Sequence, residues 1–130
     1  MVIDTSVLIA ILANEPEAEL FETAIDADPV RLISAASVLE TAIVAEARYG
    51  DIGGRELDLL LYKAEIQIVA VTADQIDVGR RAFSKYGKGR HPAALNFGDC
   101  FSYALAKTSG EPLLFKGTGF LQTDVAIARP

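Results

Sequence analysis

The chain is poor in cysteine and histidine, carries no excess of positive charge and has no long apolar run. Cys100 is its only cysteine, so no intramolecular disulfide forms and a reducing cytosol fits. In its helical context the thiol reads as a small hydrophobe. His91 is the only histidine, and with no cysteine or carboxylate at ligand spacing beside it, it opens no zinc site. Lysine and arginine number 12 against 18 aspartates and glutamates, a net charge of −6. That balance argues against a broad nucleic-acid footprint but leaves room for a local basic rim around an acidic pocket. No apolar run approaches the roughly 20 residues needed to span a bilayer. The N-terminus lacks a basic segment, and Asp4 interrupts any signal-like apolar core. A soluble, cytoplasmic protein is the expectation.

What is present is a core-forming chain. Apolar residues make up 51% of its 130 residues, with no low-complexity tract, linker or repeat. This is the size of a single domain, residues 1–130, burying about two thirds of its unfolded surface. Val2-Ile3 reads as a short buried strand that stops at Asp4 and turns into a helix over Ser6–Ala13. A second helix is expected over Glu17–Ala27, a strand over Val30–Ile33, and a third helix over Ala35–Tyr49, capped by Ser34 and closed by Gly50. Asp51–Gly54 reads as a loop before a helix over Arg55–Ala64. Then come a strand over Ile66–Val71, a helix to about Tyr86, a flexible basic loop over Gly87–Pro92, and a helix from Asp99 to Thr108. Leu113–Phe115 reads as a strand, Lys116–Gly119 as a glycine turn and Val125–Ile127 as an edge strand. Strands alternating with helices imply an α/β fold of three layers, with a central, mostly parallel sheet covered on both faces.

Three acids stand where burial would be costly. Asp4 ends the first strand, Glu40 shares a helix face with Ala36, Ile43, Val44 and Ala47, and Asp99 opens a helix with few polar positions. Each has a plainer reading. Asp4 or Ser6 can cap a helix, Ser37-Val-Leu-Glu40 matches a capping box, and Asp99 suits a helix N-terminus. Yet a strand end, a mid-helix face and a helix start can converge on one crevice. Carboxylates gathered without a cation make a site for a hard ion such as Mg²⁺ or Mn²⁺. Arg80, Arg81, Lys85, Lys88, Arg90 and His91 form the one basic concentration, either a solvated face or a set of phosphate contacts.

The opening Val-Ile-Asp-Thr-Ser, the helical Ser-Val-Leu-Glu40, the stretch Leu-Asn-Phe-Gly-Asp99-Cys-Phe-Ser-Tyr and the later Leu-Leu-Phe-Lys-Gly resemble the PIN domain. More narrowly they resemble the VapC toxins of bacterial toxin–antitoxin pairs. The resemblance implies a PIN-like fold and an endoribonuclease dependent on Mg²⁺ or Mn²⁺, acting on tRNA or rRNA. It also implies inhibition by a VapB antitoxin, homodimerisation, and the family's carboxylates at Asp4, Glu40 and Asp99. On this reading Asp4 and Asp99 bind the ion and Glu40 completes its shell or orients the attacking water. Ser6, Asn96, Lys116 and Arg90 are the expected substrate contacts. One departure stands out: the family's further acid after the fourth strand is absent from Lys116-Gly-Thr-Gly-Phe120, with Asp124 a few residues on. That leaves an alternative, a weakened module that binds RNA or antitoxin without efficient cleavage. A third reading, phosphotransfer on Asp4, wants a second aspartate where Ser6 stands. The apolar runs Leu8–Leu12 and Leu57–Leu61 are read first as core and second as a groove for an antitoxin helix or a dimer face. An arginine of such a partner, inserted among the acids, is the expected mode of inhibition.

Overall fold

A computed structural model describes residues 1–130. Its elements run β1 (Val2–Ile3), α1 (Thr5–Leu12), α2 (Ala18–Ala27), β2 (Leu32–Ser34), α3 (Ala35–Tyr49), α4 (Asp51–Lys63), β3 (Gln67–Val69), α5 (Ala73–Tyr86), α6 (Phe97–Ser109) and β4 (Leu113–Leu114), followed by a 3₁₀ turn, Phe120–Gln122. The strands form one sheet in the order β3-β2-β1-β4, and every pairing is parallel.

The two-residue period of a strand sends neighbouring side chains to opposite faces, and here it builds two cores. Ile3 and Leu114 join Val7, Leu8, Phe21, Ile25, Leu57 and Leu61 from α1, α2 and α4. Val2 and Leu113 join Ala82, Tyr86, Tyr103 and Leu105 from α5 and α6. Helices therefore cover both faces, which gives the expected three-layer α/β/α arrangement.

Several local expectations need correction. Asp51–Gly54 is helical from its first residue and belongs to α4. A Cβ on Gly53 would lie 2.6 Å from the Ala45 carbonyl carbon, so this glycine lets α4 pack directly on the backbone of α3. Val125–Ile127 is not a strand; it makes a single parallel bridge, Leu113 to Ile127. The basic loop is also pinned: Lys88 N–H donates to the Leu95 carbonyl at 2.8 Å, and Leu95 N–H to Tyr86 at 3.0 Å.

In a sheet of this order the chain leaves β1 towards β2 and β3, and β4 lies on β1's other side. The strand order reverses between β1 and β4, and the crevice beyond their carboxyl ends is where such sheets place a site.

Candidate active site

Asp4 stands at that crevice. It follows β1 directly and caps α1, and it is 5% exposed. Its carboxylate is held by three donors. Ser6 gives its backbone N–H at 3.0 Å and its hydroxyl at 2.6 Å to Oδ2, and Ser102 gives its hydroxyl at 2.5 Å to Oδ1. A carboxylate has about four acceptor positions, so one remains free. Ser6 Oγ also accepts the Lys116 backbone N–H at 2.9 Å, tying the turn after β4 to the end of β1. The capping role and a place in the crevice coexist in one residue.

Asp99 arrives from α6. Asn96 Oδ1 accepts the Asp99 N–H and Asp99 Oδ2 accepts the Asn96 N–H, both at 2.9 Å, a complete capping box. The helix therefore begins at Phe97, two residues before the expected Asp99, because Asn96 is its true cap. Burial first, and then the charges of Asp4 and Glu40, raise the Asp99 carboxyl to about 6 against the opposing pull of the Asn96 bond. Glu40 projects from α3 onto the first turn of α6, where a Cβ on Gly98 would lie 2.7 Å from its Cδ. Its helix starts at the Ser34 cap, so Glu40 has no capping duty at Ser37. Carboxylates from the end of β1 and from α3 thus act on the Asp99 carboxylate of α6.

The other sequence candidates are distributed differently. Ser6 and Asn96 hold Asp4 and Asp99. The Lys116 ammonium lies between Glu15 and Glu17, bonded to the first and 3.2 Å from the second, so its charge is already matched. Arg90 stands 5.8 Å from the Phe83 ring at the end of α5. His91 Nδ1 accepts the Ala93 N–H at 3.0 Å, and its ring meets Tyr86 edge-on. Asp124 accepts the Tyr103 hydroxyl at 2.5 Å and pairs with Lys107 at 3.2 Å, two contacts that hold its carboxyl below its usual value. It is committed there. Ser102 is a site residue that sequence reasoning missed. Its signal was its spacing: three residues after Asp99, it is one of the few polar positions on an apolar helix, on the same face.

The donor set is all hard oxygen. No three acidic, histidine or cysteine side chains converge closely enough to ligate one ion together. The arrangement suits a cation that keeps most of its waters and takes one or two carboxylates directly, which describes Mg²⁺. Oδ2 of Asp99 and both oxygens of Asp4 are engaged by protein donors, which orients both carboxylates.

This architecture is a PIN domain, and the PIN domain family model matches residues 1–126. A ribonuclease VapC of Mycolicibacterium smegmatis is 66% identical over 126 residues, spanning 97% of this chain and 98% of its own. Ribonuclease VapC30 of Mycobacterium tuberculosis is 64% identical over 126 residues, spanning 97% and 96%. The chain belongs to the VapC family of PIN-domain toxins. Among solved structures, Mycobacterium tuberculosis VapC20, a toxin that cleaves the sarcin–ricin loop, superimposes with a TM-score of 0.80 at 18% identity, over 99% of this chain and 98% of that one. A chain of a toxin–antitoxin complex from Klebsiella pneumoniae gives 0.73 at 19%, over 97% and 94%. Both show the shared fold.

Gly98→Ala tests the contact between α3 and α6. The new Cβ would displace the end of a flexible side chain, so the melting temperature should move little while Glu40 is pushed from its place. RNA cleavage by this variant is expected to fall at least tenfold.

Proposed function

We propose that the protein is an endoribonuclease toxin that hydrolyses RNA phosphodiester bonds with a divalent ion, Mg²⁺ or Mn²⁺, and is neutralised by a VapB-type antitoxin. The observation that carries this reading is the half-buried Asp99 carboxylate set beside the charges of Asp4 and Glu40 with no cation among them, a grouping that a bound cation would relieve. VapC relatives at 64–66% identity named as ribonucleases support it. The whole chain, residues 1–130, would act as one catalytic domain in the cytoplasm, and no helix is long and apolar enough to cross a membrane.

Asp4 and Asp99 would hold the ion. When bound it lowers the pKa of a water and offsets charge growing on the scissile phosphate. Glu40 would complete the ion's shell or orient the attacking water. Ser6 and Ser102 fix the rotamer of Asp4, and the Asn96 bond fixes that of Asp99. In-line attack then leaves a 5′-phosphate and a 3′-hydroxyl. Structured RNA such as tRNA or rRNA is the substrate class we favour, since the solved neighbour VapC20 cleaves the sarcin–ricin loop. Homodimerisation and an antitoxin arginine seated among the acids complete the proposal, and a toxin–antitoxin complex among the neighbours supports such a partner. Incubation with RNA and Mn²⁺ should yield 5′-phosphorylated fragments, and EDTA should stop the reaction. Cleavage indifferent to EDTA would overturn it.

One observation favours the weaker alternative. The turn after β4 supplies no acid, and Asp124 is bound to Tyr103 and Lys107 instead. Tight antitoxin binding with no cleavage under any divalent ion would select that reading.

The raised Asp99 carboxyl sets a pH dependence. Its ordinary value is 3.8 and its folded value about 6. Ionising it in the folded state is therefore unfavourable, and ion-free stability falls as pH rises through that window. Metal binding needs the ionised form and competes with the proton. The rise in melting temperature produced by Mn²⁺ should be full at pH 7.5 and fade below pH ~6. An equal rise at pH 5 and pH 7.5, read by scanning calorimetry, would contradict this.

A further inference from the structure

Between α5 and α6 runs an open groove of about 470 Å³, lined by Ile76, Gly79, Arg80, Phe83, Phe97 and Phe101 among others. Phe97 is 79% exposed, although it is the first residue of α6 and stands two positions before Asp99. Its ring meets Phe101 edge-on at 4.9 Å and leaves a face open to solvent. The groove continues through Arg80 and Ser84 into a cleft with no apolar lining, formed by Asp77, Arg80, Arg81, Ser84 and Lys85. The pinned loop adds Arg90 over the Phe83 ring. In a chain of net charge −6, this is where positive charge gathers.

We propose that the α5–α6 groove is the track on which a single-stranded segment of the RNA substrate enters the acid crevice, with a base stacked on Phe97 and phosphates on Arg80, Arg81 and Lys85. The inference rests on the ribonuclease reading and adds where the strand runs. Single-stranded nucleic acid is bound by this pairing of open aromatic faces with a basic groove, and stacking tolerates any base. Charge points to this occupant. In the basic cleft three cations stand with the single carboxylate of Asp77. A strand of phosphates neutralises that surplus. Location agrees: Phe97 and Cys100 of the groove belong to the same opening of α6 as Asp99 and as Gly98, the glycine against which the Glu40 carboxylate lies.

The test uses the full chain and a fluorescein-labelled, mixed-sequence oligoribonucleotide without secondary structure. Binding is read by anisotropy in EDTA, and cleavage by steady-state kinetics in Mn²⁺. Phe97→Ala and Phe97→Leu should each raise Kd and KM about tenfold, with kcat within twofold, since one stacked base is lost. Phe97→Tyr, which keeps the stacking face, should restore both to within about twofold of the wild type. Arg81→Ala should weaken binding of every sequence alike and reduce the salt slope of Kd by about one. An unchanged Kd and KM in Phe97→Ala would overturn the track. So would a change of mass by light scattering in that variant with RNA binding intact, which would assign the groove to a second copy. Binding that depends on Phe97, from a protein that cuts no RNA in Mn²⁺, would support the track while overturning the ribonuclease reading.

Discussion

Asp99→Asn is expected to reduce Mn²⁺-dependent RNA cleavage by about a thousandfold while making the ion-free protein more stable. The loss follows from removing a carboxylate that would hold the ion, which is worth several kcal/mol to a developing phosphorane charge. The gain follows from the same side chain's position. Its carboxyl is raised to about 6 by burial and by the charges of Asp4 and Glu40, so at pH 7.5 its ionised form is a strain on the fold. Asparagine is neutral and offers an oxygen to accept the Asn96 N–H, so the capping box survives. Part of the carboxyl is reached by solvent, which screens the repulsion, and the gain should be about 1–2 kcal/mol. Calorimetry in EDTA at pH 7.5 should therefore show a melting temperature a few degrees higher. A variant both inactive and less stable would mean that Asp99 serves the fold alone.

Gly53→Ala should give the largest loss of stability among single-methyl changes in this chain. Alanine favours a helix interior by about 1 kcal/mol over glycine, so an isolated α4 would gain. In the folded protein the new Cβ would sit 2.6 Å from the Ala45 carbonyl carbon and 3.3 Å from its Cβ. That obstacle is backbone and cannot swing away. The start of α4 must move off α3, loosening the packing of Leu57 and Leu61 in the core below. Overpacking costs of this kind outweigh the helix preference, and a net loss of about 2–3 kcal/mol is expected. Urea denaturation should show a lower midpoint with an unchanged slope. A more stable variant would mean that α3 and α4 are not in contact at Gly53.

The fold was legible where local chemistry and tertiary packing agree. Ser34 caps α3 and Gly50 closes it, and the expected bounds Ala35–Tyr49 are the observed ones. Val2-Ile3 ending at Asp4 is a strand feeding a helix because the apolar pair fills both faces of the sheet while Asp4 caps α1. Reading failed where a long-range contact overrides the local signal. Gly53-Gly54 carries the composition of a loop, yet both lie in α4, where Gly53 is needed for the close approach to the α3 backbone. Val125–Ile127 has strand composition but reaches β4 at one bridge. The acids were visible as costly charges in apolar surroundings. What holds them was not: Ser102 meets Asp4 across 98 positions, and Lys116 is drawn to Glu15 across 101. Spacing places Ser102 on the face of Asp99, but it does not reveal the distant partner that either side chain meets.

Calorimetric titration of Mn²⁺ into the purified protein at pH 7.5 tests the central claim most directly. One ion per chain should bind the wild type, and Asp4→Asn, Glu40→Gln and Asp99→Asn should each weaken it by about tenfold or more, as lost ligands or ligand partners do. Undiminished binding in all three variants would contradict the claim that these side chains together form the ion's site.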